Sequence, residues 1–206
     1  MKKVIIGILV ILIVTGGIVG GMYLLKEKES TSQEDKGKEP EVEIPVPKLQ
    51  IINEDSNSRP YAVMINNHAQ ARKNHAGLQD AYVVYEMIVE GGLTRLMAVF
   101  KDQTTARLGS VRSSRHNFLD YALEHDAIYV HYGWSPKAET DIRTLGISNI
   151  NGLYDDAFYR DRTLGVAYEH TAFTDMERIQ NMVVRKGYRM TTEQPYYSIT
   201  VLMKLT

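Results

Sequence analysis

The sequence predicts an α/β domain, a mixed β-sheet with helices packed against it, behind a single N-terminal transmembrane helix. An α+β arrangement, with the helices segregated to one side, is the alternative. The prediction rests on three observations. Strand-like and helix-like segments alternate after Ala127, a hairpin pattern turning at Gly91-Gly92 stands before it, and Val4 to Leu25 is an apolar run without a charge.

Taken in order, Val4 to Leu25 matches the roughly 20 residues a helix needs to cross a bilayer. Lys2 and Lys3 precede it and Lys26 and Lys28 follow, so the flanking charges are nearly balanced. A short basic tail before a first apolar segment favours insertion with the N-terminus inside. No Ala-x-Ala site ends the run, which favours an uncleaved signal anchor over a removable signal peptide. Residues 26–50 then mix Lys, Glu, Asp, Ser and Gln with Pro40, Pro45 and Pro47. Almost nothing there can be buried, so the stretch reads as a solvated, disordered linker.

Residues 51–190 form the expected globular domain. Tyr61 to Asn66 follows Pro60 as a buried-strand pattern, ended by the polar Asn66, Asn67 and His68. Arg72 to Gly77 reads as a loop. Ala81 to Val89 and Thr94 to Phe100 are the hairpin arms. Alternation puts Glu86, Ile88 and Glu90 on one face and Tyr85, Met87 and Val89 on the other. Phe118, Leu119, Ala122 and Leu123 then recur at helical spacing, with Ser113 or Ser114 placed to cap that helix. Ala127 to Tyr132 reads as a strand. Ser135-Pro136 opens a further helix that Gly146 closes. Asn149 to Tyr168 reads as irregular and long for a loop. Thr174 and Glu177 form a capping box for a last helix ended by Gly187. Residues 191–206 are expected to be the C-terminal remnant of a truncated chain, with residues 196–206 loosely packed and Ile199 to Leu205 a strand lacking partners.

Composition narrows the chemistry. The formal net charge is −1, which gives no argument for nucleic acid. There is no cysteine, so disulfides, thiolate catalysis, zinc–thiolate sites and lipid attachment through cysteine are excluded within this chain. No cofactor signature is present.

Gly109 to Asp120 gathers Arg112, Ser113, Ser114, Arg115, His116 and Asn117. Guanidinium forks suit phosphate and carboxylate. Arginines at a helix start are unfavourable alone, because that end already carries partial positive charge. They need a negative partner: a bound anion, or Glu86 and Glu90 inside the fold. Both readings stand at this point. The binding candidates are Arg112, Ser113, Ser114 and Arg115, with Asn66 and His68 at a strand end, where ligands gather in open α/β sheets. Glu86, Glu90 and His131 are the candidates for catalysis. His68, His131 and His170 lack zinc-site spacing, so no metal is expected. A Ser113 or Ser114 device with His131 lacks a Gly-x-Ser-x-Gly setting.

These segments resemble a known family. Arg59 to His68, Tyr85-Glu86, Glu90-Gly91-Gly92 with Thr94-Arg95, Gly109 to Arg115, and Tyr129-Val130-His131 with Ser135-Pro136 are similar to the YerB-like bacterial lipoproteins, a domain-of-unknown-function family. The resemblance covers roughly residues 55 to 190. It implies an exported, membrane-tethered protein of the bacterial envelope with its globular domain outside the cytoplasm, and brings no established activity. The chain departs from the pattern twice: it has no lipid-bearing cysteine, and it stops at Thr206 where the family continues into a C-terminal domain. The expected function is a membrane-anchored domain binding an anionic envelope ligand or a partner protein. A hydrolase or transferase acting on a phosphate- or sugar-containing envelope substrate is one alternative, and a purely structural interaction domain is another.

Overall fold

The computed structural model describes residues 53 and 55–193. The anchor at Val4 to Leu25, the linker at 26–50 and the strand at Ile199 to Leu205 lie outside the described residues. Among the described residues no helix is long and apolar enough to cross a membrane.

The strand patterns of the first half form where the alternation puts them. β1 (Tyr61–Asn66) is buried throughout, and β2 (Val83–Ile88) alternates half-buried with exposed positions. β3 (Thr94–Phe100) returns antiparallel to β2 and pairs on its other side with β1. β5 (Ile128–His131) joins β1 in parallel and β6 (Asn149–Asn151) joins β5 in parallel. The result is one mixed sheet in the order β2-β3-β1-β5-β6. β4 (Leu108–Gly109), β7 (Tyr159–Arg160) and β8 (Ala172–Thr174) make a second, smaller antiparallel sheet in the order β4-β8-β7.

Helices cover both faces of the mixed sheet. Val63, Ile65, Ala98, Phe100, Ile128 and Val130 pack on one side with Met176, Ile179, Met182 and Val183. Those four belong to the last helix, Met176–Arg185, labelled α4 below. Ala62, Met64, Met97, Val99 and Tyr129 pack on the other side with α2 (Leu119–Glu124) and α3 (Pro136–Thr144). The period-two alternation of each strand thus feeds two separate apolar cores. A short α1 (Ala69–Arg72) follows β1, its first turn capped by the His68 side chain, which accepts from the Gln70 N–H at 3.3 Å.

Three local expectations are corrected. Ser113 and Ser114 cap no helix: a 3-10 turn at His116–Phe118 precedes α2, and neither serine oxygen accepts from its first turn. The chain is still extended there, because Ser110 to Ser114 is held as a strand-like segment. Asn149 to Tyr168 is not structureless, since it contains β6, β7 and a 3-10 turn at Arg162–Leu164. Finally, α4 is capped by Asp175, whose carboxylate accepts from the Arg178 N–H at 2.8 Å. Thr174 lies in β8 instead, and its hydroxyl donates to the Ala157 carbonyl at 2.7 Å. Ser135, by contrast, caps α3 ahead of Pro136, accepting from the Ala138 N–H at 3.3 Å.

Candidate functional site

β1 and β5 run together only over Tyr61 to Val63 and Ile128 to Val130. Beyond that their carboxyl ends diverge, and the segment Ser110 to Ser114 is inserted between them. The Asn66 N–H donates to the Ser110 carbonyl at 2.9 Å and the Arg112 N–H to the Met64 carbonyl at 3.0 Å. On the other side the Tyr132 N–H donates to the Arg112 carbonyl at 2.9 Å and the Ser114 N–H to the Gly133 carbonyl at 2.8 Å. Both edges of the segment are therefore consumed by the sheet. Its side chains are projected at the place where open α/β sheets hold ligands.

Arg112 and Arg115 meet a third arginine there. Arg95, on β3 in register with Asn66, is 8% exposed and donates to the Ser113 carbonyl. Burial first, and then the charges of Arg115 and Arg112, hold its guanidinium down to about 10. Burial is also the first cause lowering Arg112, followed by Glu169, which opposes the shift, and by Arg115 and Arg160, which add to it. Arg112 donates to the Glu169 carbonyl at 3.0 Å, while its Nε is buried without a partner among the described residues. Arg160 lies over the rings of Tyr132 and Tyr168, 4.4 and 4.2 Å from their centroids. Among the described residues, none of Arg95, Arg112 and Arg160 reaches a carboxylate at ion-pair distance.

The acidic pair divides. Glu90 accepts from Arg115 Nε, and that hydrogen bond is the first cause holding its carboxyl below the usual range. Glu86 instead accepts from Asn67 Nδ2 at 2.9 Å and from the Thr94 hydroxyl at 2.6 Å. The internal neutralisation of both arginines by both glutamates is not what forms: Arg115 has Glu90, and Arg112 has neither.

Two hydroxyls lie beneath the arginines. Tyr129 is fully buried, and burial pushes its phenol well above its ordinary range. The Ser114 hydroxyl lies against it, yet neither oxygen closes a well-aligned hydrogen bond. Ser113 donates to the Tyr132 carbonyl at 3.0 Å. Beside the cluster, Asn66 Nδ2 donates to His170 Nδ1 at 2.8 Å, and the His68 ring stacks on His170 at 4.7 Å. Asn66, His68 and His170 are thus one contact group next to Arg112, whose charge helps lower His170 after burial.

His131 stands apart from that group. Its Nδ1 donates to the Gly133 carbonyl at 2.8 Å and its Nε2 faces Asn149 Oδ1 at 3.3 Å. It reaches neither Ser113 nor Ser114, so a serine–histidine device is not assembled. Burial pushes the ring down to about 4. As pH falls, the unfolded chain therefore takes up this proton first, and stability present above about 6.5 is lost toward 4. Between pH 7 and 5 the expected loss from this group is about 2 kcal/mol. His125 and His170, also lowered first by burial, add slope of the same sign. Denaturant midpoints across that range check it; a flat profile would contradict the assignment, and His131→Gln should remove its share of the slope.

Arg95 was not singled out by sequence reasoning. Its signal was parity: it shares a strand face with Met97 and Val99, where a charge is out of place.

Fold and site together define a three-layer α/β domain carrying an arginine cluster at the carboxyl edge of a mixed sheet. Residues 49–189 match the family described as "Protein of unknown function (DUF3048) N-terminal domain". The chain belongs to this YerB-like family. It is 36% identical over 135 residues to the protein described as "Putative lipoprotein YerB" of Bacillus subtilis (strain 168). That match covers 66% of this chain and 40% of the relative. The crystal structure of the Bacillus subtilis YerB protein is similar with a TM-score of 0.62 at 36% identity, over 66% of this chain and 47% of the crystallised one. The chain thus spans less than half the length of the relatives it matches.

Proposed function

We propose that this is a membrane-tethered, extracytoplasmic domain that binds an anionic envelope ligand, bearing phosphate or carboxylate, at Arg95, Arg112 and Arg115. The observation that carries the reading is the charge count around Arg112. Arg95, Arg112, Arg115 and Arg160 face two carboxylates, Glu90 and Glu169. An anion supplies the charge the fold leaves out, and guanidinium forks are suited to it. The unpartnered Arg112 Nε, Ser114 Oγ and Tyr129 hydroxyl add polar atoms in the same place.

A binding role is favoured over a hydrolase. Glu90 is kept in its charged form by Arg115, and general acids need a raised pKa. Titrating the full chain with inorganic pyrophosphate in a calorimeter should give saturable binding that weakens as salt is raised. No saturable heat at low salt would remove the proposal.

The tether rests on Val4 to Leu25 and on the membrane association implied by a lipoprotein relative. The chain should stay in the membrane fraction through a high-salt wash and be released by detergent. External protease should free the domain by cutting between Lys26 and Lys48. Recovery of soluble protein lacking residues 1–25 would show a cleaved signal instead.

A further inference from the structure

A separate cleft of about 490 Å³ opens beside the outer strand β6, between the end of α3 and the residues that follow α4. Its character differs from that of the arginine cluster. The Trp134 and Tyr154 rings stand 5.8 Å apart at 47°, forming an open V, and Tyr188 also lines the cleft. Tyr154 is 73% exposed, a large apolar surface to leave in water.

The charges of this cleft are already matched. Arg143, whose guanidinium lies 5.8 Å from the Trp134 ring centroid at the rim, pairs with Glu139 at 2.7 Å. Lys186 Nζ pairs with Asp155 at 2.8 Å and donates to the Asn149 carbonyl at 3.0 Å. The Tyr188 hydroxyl donates to the same carbonyl at 3.1 Å. A charged ligand would find no free counter-charge in that pair. What remains unmatched is one neutral donor. Asn151 lines the cleft at 2% exposure, and its Oδ1 accepts from the Gly133 N–H at 2.9 Å and the Leu153 N–H at 3.1 Å. Its Nδ2 is buried and, among the described residues, has no partner. A buried amide donor left unused calls for an acceptor, since such groups are nearly always satisfied.

Tilted aromatic planes, a neutralised wall and a single amide donor match a ligand with an apolar face and a rim of neutral oxygens. We propose that this cleft binds a pyranose ring of a glycan chain, its C–H face on Trp134 and Tyr154 and a ring substituent oxygen on Asn151 Nδ2. Ligand sites of this kind are mostly apolar, with a few placed polar groups that fix orientation. Trp134 also pairs with Ser114 in a parallel bridge, so the cleft adjoins the arginine-bearing segment.

Trp134 is the only tryptophan of the chain, so its emission reports the cleft directly. The full chain, held in a detergent without sugar headgroups, is titrated with chitotetraose and with maltotetraose, by fluorescence and by calorimetry. At least one should give a saturable response, and the pair tells an acetamido-bearing ring from a plain hexose. Tyr154→Ala removes an exposed ring, and Asn151→Asp, read at a pH where the new carboxyl is ionised, keeps an acceptor for both backbone N–H groups while deleting the donor. Each should weaken binding about tenfold or more, equivalent to about 1.4 kcal/mol. Arg112→Gln should leave it unchanged, which separates this site from the anion site. The proposal is overturned if neither oligosaccharide gives saturable fluorescence or heat, or if Tyr154→Ala binds as well as the parent chain. It is equally overturned if the oligosaccharide response disappears with Arg112→Gln.

Discussion

Asp126→Ala should cost the domain roughly 3–5 kcal/mol, because it leaves a buried arginine without its counter-charge. The expectation comes from the end of the sheet opposite the candidate site, where the chain enters β1. Arg59 is 9% exposed, and burial is the first cause lowering its guanidinium, opposed next by Asp126. Its Nε donates to the Asp126 carbonyl at 2.6 Å and lies 3.3 Å from the Asp126 carboxylate. Arg189 Nη2 reaches both oxygens of that carboxylate at 2.7 Å. One aspartate therefore ties the residue before Pro60 to the residues after α4, and holds two guanidiniums side by side. Asp126 also sits at φ 49°, a left-handed position where alanine adds roughly 1 kcal/mol of strain and asparagine is tolerated. Asp126→Asn, which keeps the oxygen acceptor and the backbone position, should lose clearly less than the alanine variant. Denaturant melts followed by Trp134 emission measure both. Arg59 Nη1 also donates to the Ser148 hydroxyl at 3.2 Å and to the Arg189 carbonyl at 3.4 Å. A loss under about 1 kcal/mol for the alanine variant would mean that these and the residue-126 carbonyl hold Arg59 without the carboxylate, whose pair would then be worth no more than a surface one.

How much of this was legible beforehand follows from the range of the interactions involved. The hairpin could be read because its information is local: strict alternation across Val83 to Ile88 and two glycines at the turn, Gly91 and Gly92, both at positive φ. The same is true of Ser135-Pro136 at the head of α3. The segment Ser110 to Ser114 could not be read, because its conformation is set by β1 and β5 on either side of it. Serines followed by an apolar run resemble a cap, and only the sheet pairing excludes it. The two- and three-residue strands β4, β7 and β8 are too short to show any period, so the small sheet was invisible. Asp175 and Thr174 are adjacent cap formers, and the choice between them was made by the Thr174 bond to Ala157, a tertiary contact. Glu90 meets Arg115, but pairing on a sheet face could not say that Glu86 would be taken by Asn67 and Thr94.

The arginine cluster itself separates binding from scaffolding, through two substitutions that remove charge without removing shape. Among the described residues Arg95 is buried without a carboxylate, and replacing a buried ion by an apolar side chain of similar volume is often neutral or stabilising. Arg95→Met gives up a charged hydrogen bond to the Ser113 carbonyl, roughly 1.5–3 kcal/mol, but also removes the desolvation cost of an uncompensated buried charge, so the net change in stability should stay within about 1 kcal/mol. Arg112→Gln keeps a donor for the Glu169 carbonyl and should be similarly mild. For an anionic ligand the same changes are severe. Each charged hydrogen bond is worth roughly 1.5–3 kcal/mol, so each single variant should weaken pyrophosphate binding roughly tenfold to a hundredfold. The double variant should lose more than either, though less than their product, because the two side chains share one ligand. Arg115→Gln provides the contrast. Its pair with Glu90 is exposed on the carboxylate side, 64%, so the stability cost should be about 0–1 kcal/mol. It also releases Glu90 toward the cluster, where that charge opposes an anion. All losses in affinity should shrink as ionic strength rises and the surrounding field is screened. The opposite pattern, a loss of roughly 3 kcal/mol or more in stability for both Arg95→Met and Arg112→Gln with pyrophosphate affinity untouched, would assign the arginines to the scaffold and end the anion-binding reading.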